Sequence, residues 1–309
     1  MQNVKTHGVS LNWLLRFYRR AALLSFFVCS AWASVLQAQT PIPAAKGPPA
    51  KPEGFTPGWG FGTKFEGSTI GDGGAITDVA TGVGYNFTRY FGMYLAVPYY
   101  FIFTPSSITQ TNPGVLSGNG IGNVAMDLKW NYPGHSLKYA STIHLGAPTG
   151  DKKKGLSSGH ATWNWLNHFE HGWGNFAPFV EGGIGNTIQG TSFFYRPYIT
   201  YGLNASFEAG TEVDAGPFSF TASAYDFLPW GTQTMISRTG VQTSGAGVGH
   251  DNGFNAGIDV QLIKYVDLEV DYSRSVPLRL NSFSFVISFK IGSLLPPQPQ
   301  QIETSEDAH

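Results

Sequence analysis

Between residues 59 and 291 the chain repeats one pattern, segments of roughly ten residues in which apolar and polar side chains alternate. The clearest sets Phe91, Met93, Leu95, Val97, Tyr99, Phe101 and Phe103 against Gly92, Tyr94, Ala96, Pro98, Tyr100 and Ile102. A period of two places successive side chains on opposite faces of an extended strand, so each segment has two unlike surfaces. No stretch of helical period and comparable length separates these segments. The chain is therefore predicted to be all-β.

Twelve strands are predicted, with ten or fourteen as the alternative counts, at 59–68, 77–87, 90–103, 121–132, 137–148, 161–170, 176–186, 198–210, 217–228, 254–263, 266–275 and 280–291. Their connections alternate in length. Short turns fall at Thr88–Arg89, Pro133–Ser136, His171–Asn175, Thr211–Gly216 and Lys264–Tyr265, and longer loops at 69–76, 104–120, 149–160, 187–197 and 229–253. The last link, Val276–Arg279, is short where a long one is expected. Short turns at one end and long loops at the other mark a transmembrane antiparallel up-and-down β-barrel. A secreted β-sandwich or jelly roll is the soluble alternative.

Composition agrees with a wall that touches lipid. Only 13% of residues are charged, against about 25% in soluble domains. Aromatic residues make up 15%, and 39 of the 309 residues are glycine.

The first 38 residues read as an export signal: a basic segment with Lys5, Arg16, Arg19 and Arg20, an apolar run from Ala21 to Ala33, and small residues that allow cleavage after Ala33 or after Ala38, with Ala38 preferred. The run is too short to span a bilayer. Cys29, the single cysteine, lies within it, so the mature chain has no thiol or disulfide. Removing the signal leaves fifteen basic against twenty acidic residues, which excludes a nucleic-acid footprint. Residues 39–58 form a Pro-rich arm and 293–309 a Pro/Gln-rich, then acidic, tail. Both are expected to extend into the periplasm. Location in the bacterial outer membrane follows, with the lipid bilayer, lipopolysaccharide and the barrel-assembly machinery as partners.

Alternation also assigns faces. Val124, Met126, Leu128, Trp130 and Tyr132 are expected to meet lipid, as are Ile199, Tyr201, Leu203, Ala205 and Phe207. Phe254, Ala256, Ile258, Val260 and Leu262, then Val266, Leu268, Val270 and Tyr272, do the same. Asp127, Lys129, Lys138, Glu208, Asp259, Glu269 and Asp271 then become candidate lumen-lining residues, first as ion pairs and second as a lining that decides which solutes pass. Segments 161–170 and 176–186 alternate too poorly to be assigned. Trp59, Tyr90, Trp130, Tyr132, Trp163, Trp165, Trp230 and Tyr265 fall near strand ends, where an interfacial aromatic girdle belongs. Phe193, Phe194 and Tyr195 either line an entrance or pack a loop.

Three segments carry a family resemblance: GIGNVAMDLKW at 120–130, LGAPTGDKKKGLSSG at 145–159 and GWGNFAPFVEGGIGNT at 172–187. Together they resemble the outer-membrane "meta-pathway of phenol degradation" family of transporters. Two departures stand out: Asn123 replaces the family's usual Asp, and Lys152–Lys154 replace a more acidic stretch. The resemblance implies a porin-like outer-membrane channel or transporter for passive uptake of small, hydrophobic or aromatic molecules, with no catalytic residues. Alternatives are a non-transporting surface structural or adhesion barrel, and an outer-membrane lipid hydrolase built on Ser158, His160 and Asn164.

Other motifs give little. Gly118-Asn119-Gly120-Ile121-Gly122 lacks the strand–turn–helix context of a nucleotide loop and reads as a backbone bend entering a strand. His168 and His171 are read as interfacial turn residues and not as metal ligands. The Lys152–Lys154 run reads as a solvated loop tip, with lipopolysaccharide contact as a second role. No cofactor, nucleotide or metal is implied.

Overall fold

A computed structural model describes residues 54–70, 75–103, 119–134, 137–151, 156–157, 159–187, 198–237, 242–246, 249–263, 265–277 and 279–292. Twelve long strands form the wall: β1 Gly58–Ile70, β2 Ala75–Asn86, β3 Phe91–Phe103, β4 Val124–Tyr132, β5 Leu137–Ala147, β6 Thr162–His171, β7 Phe176–Gly185, β8 Asn204–Ala215, β9 Phe218–Pro229, β10 Asp251–Ile263, β11 Val266–Ser275 and β12 Leu280–Gly292. Each pairs antiparallel with its sequence neighbours. β1 also pairs with β12, from Gly60 opposite Gly292 to Ile70 opposite Ser282. The sheet therefore closes on itself and leaves no unpaired edge in the barrel.

The outer surface is apolar. Trp59, Leu95, Trp130, Phe207, Phe254, Val270 and Phe285 are all exposed, while the alternate positions point inward and are largely buried. A water-soluble protein does not expose a belt of this kind; a hydrocarbon solvent favours it. At the short-turn end, rings touch in sequence around the wall. Trp59 meets Tyr85 at 5.1 Å, Tyr85 meets Phe87 at 5.1 Å, Phe87 meets Phe91 at 5.5 Å and Phe91 meets Trp130 at 6.3 Å. These contacts build one arc of the expected girdle.

Two boundaries differ most from the sequence reading. Residues 198–210 are not one strand. Tyr198–Tyr201 instead joins Thr232–Ser237 and Gln242–Ala246 in a separate three-stranded sheet on the long-loop side. Gly202, at φ 146°, breaks the run before β8 begins, a backbone state that residues with a Cβ avoid. Ile199 and Tyr201, expected to face lipid, thus belong to the loop sheet. Fully buried Gln233 fixes this sheet to the rim, its Nε2 donating to the carbonyls of Leu203 (2.6 Å) and Trp230 (2.8 Å).

The second difference is the turn expected at Thr211–Gly216. β8 runs on through Ala215, which pairs with Phe218, and only Gly216-Pro217 turn the hairpin. Gly216 supplies the required left-handed φ of 66°. The link after β11 is short at the end where a long one was expected, and it lies where the sequence placed it: Ser275 pairs directly with Leu280.

The export signal, Lys152–Lys154, Ser158, Phe193–Tyr195 and the C-terminal tail lie outside the described residues. Of the Pro-rich arm, Gly54–Gly58 are described, the last of them opening β1. Phe55 N donates to Arg89 O (2.8 Å), its ring lies 6.0 Å from the inward-facing Tyr94, and Asn86 Nδ2 donates to Thr56 O (3.1 Å). The segment entering β1 is thus seated at the short-turn mouth of the barrel.

Candidate functional site: the charged barrel interior

Because side chains alternate, one residue parity of each strand supplies the interior. On β4 this parity is Ala125, Asp127, Lys129 and Asn131. Asp127 is 1% exposed and meets His144 Nδ1 of β5 at 2.8 Å and Lys129 Nζ at 3.8 Å. Lys138 of β5 binds Glu170 of β6 at 2.7 Å. Glu208 of β8 accepts from Ser223 Oγ (2.5 Å) and Asn255 Nδ2 (3.1 Å), so it joins β8, β9 and β10.

Asp259, Glu269 and Asp271 form a different group. Asp259 lies opposite Glu269 in the β10–β11 register, and Asp271 follows on the same face of β11. Asp271 accepts from Ser284 Oγ at 3.4 Å. Asp259 Oδ1 and Glu269 Oε1 have no hydrogen-bond partner among the described residues. The seven sequence candidates are therefore spread around the wall: four enter ion-pair or hydrogen-bond networks on β4–β10, and three gather on β10 and β11.

Sequence reasoning passed over the groups that complete this gathering. Lys64 and Glu66 of β1 form a 2.8 Å ion pair, both nearly buried. Asp78 of β2 lies directly opposite Glu66. Lys64 also sits within the electrostatic reach of Glu269 and Asp78. The signal was present, since Lys64 and Glu66 hold the parity opposite to Trp59, Phe61 and Phe65. Their assembly with β11 depends on closure between β1 and β12, which a local pattern cannot express. Lys290 of β12, also passed over, pairs with Asp267 of β11.

The first of the two poorly alternating strands is now assigned. Asn164, His168 and Glu170 of β6 are buried, while Trp165 and Phe169 are exposed. Leu166 shares the inward parity and Asn167 the outward one, which is why the pattern looked weak. Asn167 is satisfied on the outer face by the Tyr139 hydroxyl, which donates at 2.8 Å. Trp165 Nε1 similarly donates to Ser141 Oγ at 2.9 Å.

His168 is not a turn residue. It is buried inside the barrel, 3.9 Å from Glu170 and 3.6 Å from Glu181. His171 lies on the opposite face and contacts Trp173. The pair cannot share a ligand.

Two of the hydrolase candidates can be placed. His160 stacks on Tyr201 of the loop sheet at 4.4 Å, and Asn164 is buried on the inward face of β6.

Two of the three segments carrying the family resemblance, 120–130 and 145–159, meet in space. Gly150 N donates to Asn123 Oδ1 (3.1 Å), Val124 N to Thr149 Oγ1 (2.8 Å), and Thr149 Oγ1 to Gly122 O (3.2 Å). The Gly-rich entry to β4 and the Pro-Thr-Gly turn after β5 thus lock each other at the rim. Asn123 serves here through its side-chain oxygen, a role an Asp fills equally well. Gly120 and Ile121 pair with β3 before the bend into β4, in keeping with a backbone role for the Gly-rich run.

Interior polar groups are closely packed. Glu66 is 4% and Asp78 is 5% exposed, so around these residues the lumen is tightly filled.

No family model matches the chain, and no curated protein matches it. Among solved structures, the COG4313 outer membrane channel from Pseudomonas putida F1 aligns with a TM-score of 0.56 at 10% identity, covering 80% of this chain and 100% of the other. The KdgM porin in complex with oligogalacturonate aligns more loosely, with a TM-score of 0.44 at 8% identity over 75% of this chain and 99% of the porin. The NanC porin gives 0.45 at 7% identity, over 74% and 100%. The first likeness shows a shared fold: a closed twelve-stranded antiparallel barrel of the bacterial outer-membrane type.

Proposed function

We propose that this protein is an outer-membrane channel through which small solutes cross passively. The observation that carries the reading is the pairing of an exposed apolar exterior with a charged interior in one closed wall. Such a wall separates an aqueous path from lipid, and the side chains inside it set who passes. Twelve strands lie between the eight that fill themselves and the sixteen or more that leave a wide channel. The tightly packed interior supports a narrow, charge-lined path.

The export signal at 1–38 and the two periplasmic arms belong to this proposal, as does membership of the phenol meta-pathway transporter family. That family implies aromatic solutes. The interior supplies buried aromatic surface at Tyr94, Phe179, Tyr225 and Phe227.

One observation favours a surface-binding role as a second reading: the long loops build their own three-stranded sheet, pinned to the rim by Gln233. Reconstitution separates the two. Purified protein in a planar lipid bilayer is expected to give discrete conductance steps, and in liposomes to allow swelling in small solutes. A bilayer that stays impermeable to ions and small aromatics, with the barrel folded, overturns the channel reading in favour of surface binding.

A further inference from the structure

The inward lysines of the described residues are matched one to one. Lys64 pairs with Glu66, Lys129 with Asp127, Lys138 with Glu170 and Lys290 with Asp267. What remains is acidic. Asp78, Asp259, Glu269 and Asp271 share the interior of β2, β10 and β11 with no lysine of their own.

Lys64 cannot serve them all. It is committed to Glu66 at 2.8 Å and is reached electrostatically by Asp78 and Glu269 as well. Glu66, 4% exposed, keeps Oε1 without a hydrogen-bond partner among the described residues, as do the buried Oδ1 of half-buried Asp259 and the buried Oε1 of half-buried Glu269. A buried carboxylate oxygen left unsatisfied is costly, and like charges in one small space raise that cost. A cation in the lumen relieves both. Carboxylate rings in a narrow pore attract cations and repel anions, more strongly as the surroundings lose water.

We propose that the interior makes this barrel a cation-preferring path, for inorganic cations and small organic ammonium ions, with Glu66, Asp78, Asp259, Glu269 and Asp271 as the selecting groups. The proposal rests on the channel reading and names its substrate class. It separates this chain from an anion path: the lysine that an anion would need is already engaged at each position. The nearby aromatic faces suit ammonium ions, as the Lys129 ammonium over the Tyr94 ring, 5.4 Å from its centroid, already shows.

The test is the reversal potential of the wild-type protein in a planar bilayer across a potassium chloride gradient. Potassium is expected to be favoured over chloride by at least several-fold, and the ratio is expected to fall towards one in the Glu66→Gln/Glu269→Gln and Asp259→Asn variants. Tetramethylammonium replacing potassium is expected to carry current, and glutamate replacing chloride to change little. A conducting pore with no preference, or with a preference for chloride, overturns this proposal and leaves the channel reading standing. A cation preference unchanged in all the variants overturns the assignment to these carboxylates. Absence of any conductance overturns both readings together. The wild-type measurement holds whether or not a variant folds.

Discussion

Replacing Lys64 with methionine is expected to destabilise the folded barrel by about 3–5 kcal/mol, the usual cost of removing one partner from a buried ion pair. Lys64 stands at the middle of β1, and its ammonium lies against Glu66 with Asp78 and Glu269 in reach. Its loss leaves four carboxylates, counting Asp271, around a site with no positive group of its own among the described residues. The double variant Lys64→Met/Glu66→Met removes both members of the pair and is expected to recover part of the loss, since a buried pair can often be replaced by apolar side chains at little cost. Urea unfolding of the protein refolded in lipid vesicles reads both. A change below about 1 kcal/mol, the size expected of an exposed pair, contradicts a buried cluster held by this lysine.

The second large effect belongs to the outer surface. Val270, midway along β11 and 46% exposed, points away from the charged interior. Arginine there is expected to cost about 2–4 kcal/mol, because a guanidinium at the bilayer midplane cannot be solvated. The same substitution at Leu262, close to the short turn after β10, is expected to cost about 0–1 kcal/mol. This contrast with depth is specific to a lipid-facing wall. Equal and small costs at both sites, read by the same unfolding assay, place the surface in water instead.

Most of the wall was legible because residue parity is a local property. β3 announces its faces without help from any other strand, and Asp127, Lys129, Glu269 and Asp271 follow from the same rule. The rule failed where the chain changes partner while the alternation carries on. Tyr198 to Phe207 reads as one strand, yet the backbone at Gly202 hands its first four residues to another sheet. It failed again at Leu166 and Asn167, where a polar side chain sits on the outer face because Tyr139, from the adjacent strand, satisfies it.

The acidic cluster shows a deeper limit. Glu66 and Glu269 are separated by some two hundred positions and meet only because the first strand pairs with the last, with Val286 opposite both of them. Parity says which way each points. Register says which of them are neighbours, and register is fixed by all twelve strands together. The locked contact between Asn123 and Gly150 is of the same kind. Each motif was visible alone, and their meeting was not.

The central claim is a closed cylinder with lipid outside and polar groups within, and nitroxide labels along β12 test it most directly. Labels are placed one at a time at residues 283 to 288, in a chain whose single cysteine, Cys29, is replaced by serine and which is refolded into lipid vesicles. Collisions with oxygen, which concentrates in lipid, are expected to be frequent at Phe283, Phe285 and Ile287 and rare at Ser284, Val286 and Ser288. The opposite parity, or phenylalanine positions shielded from both oxygen and a water-soluble nickel chelate while the serine positions collide freely with the chelate, would contradict the barrel and indicate two packed sheets in water.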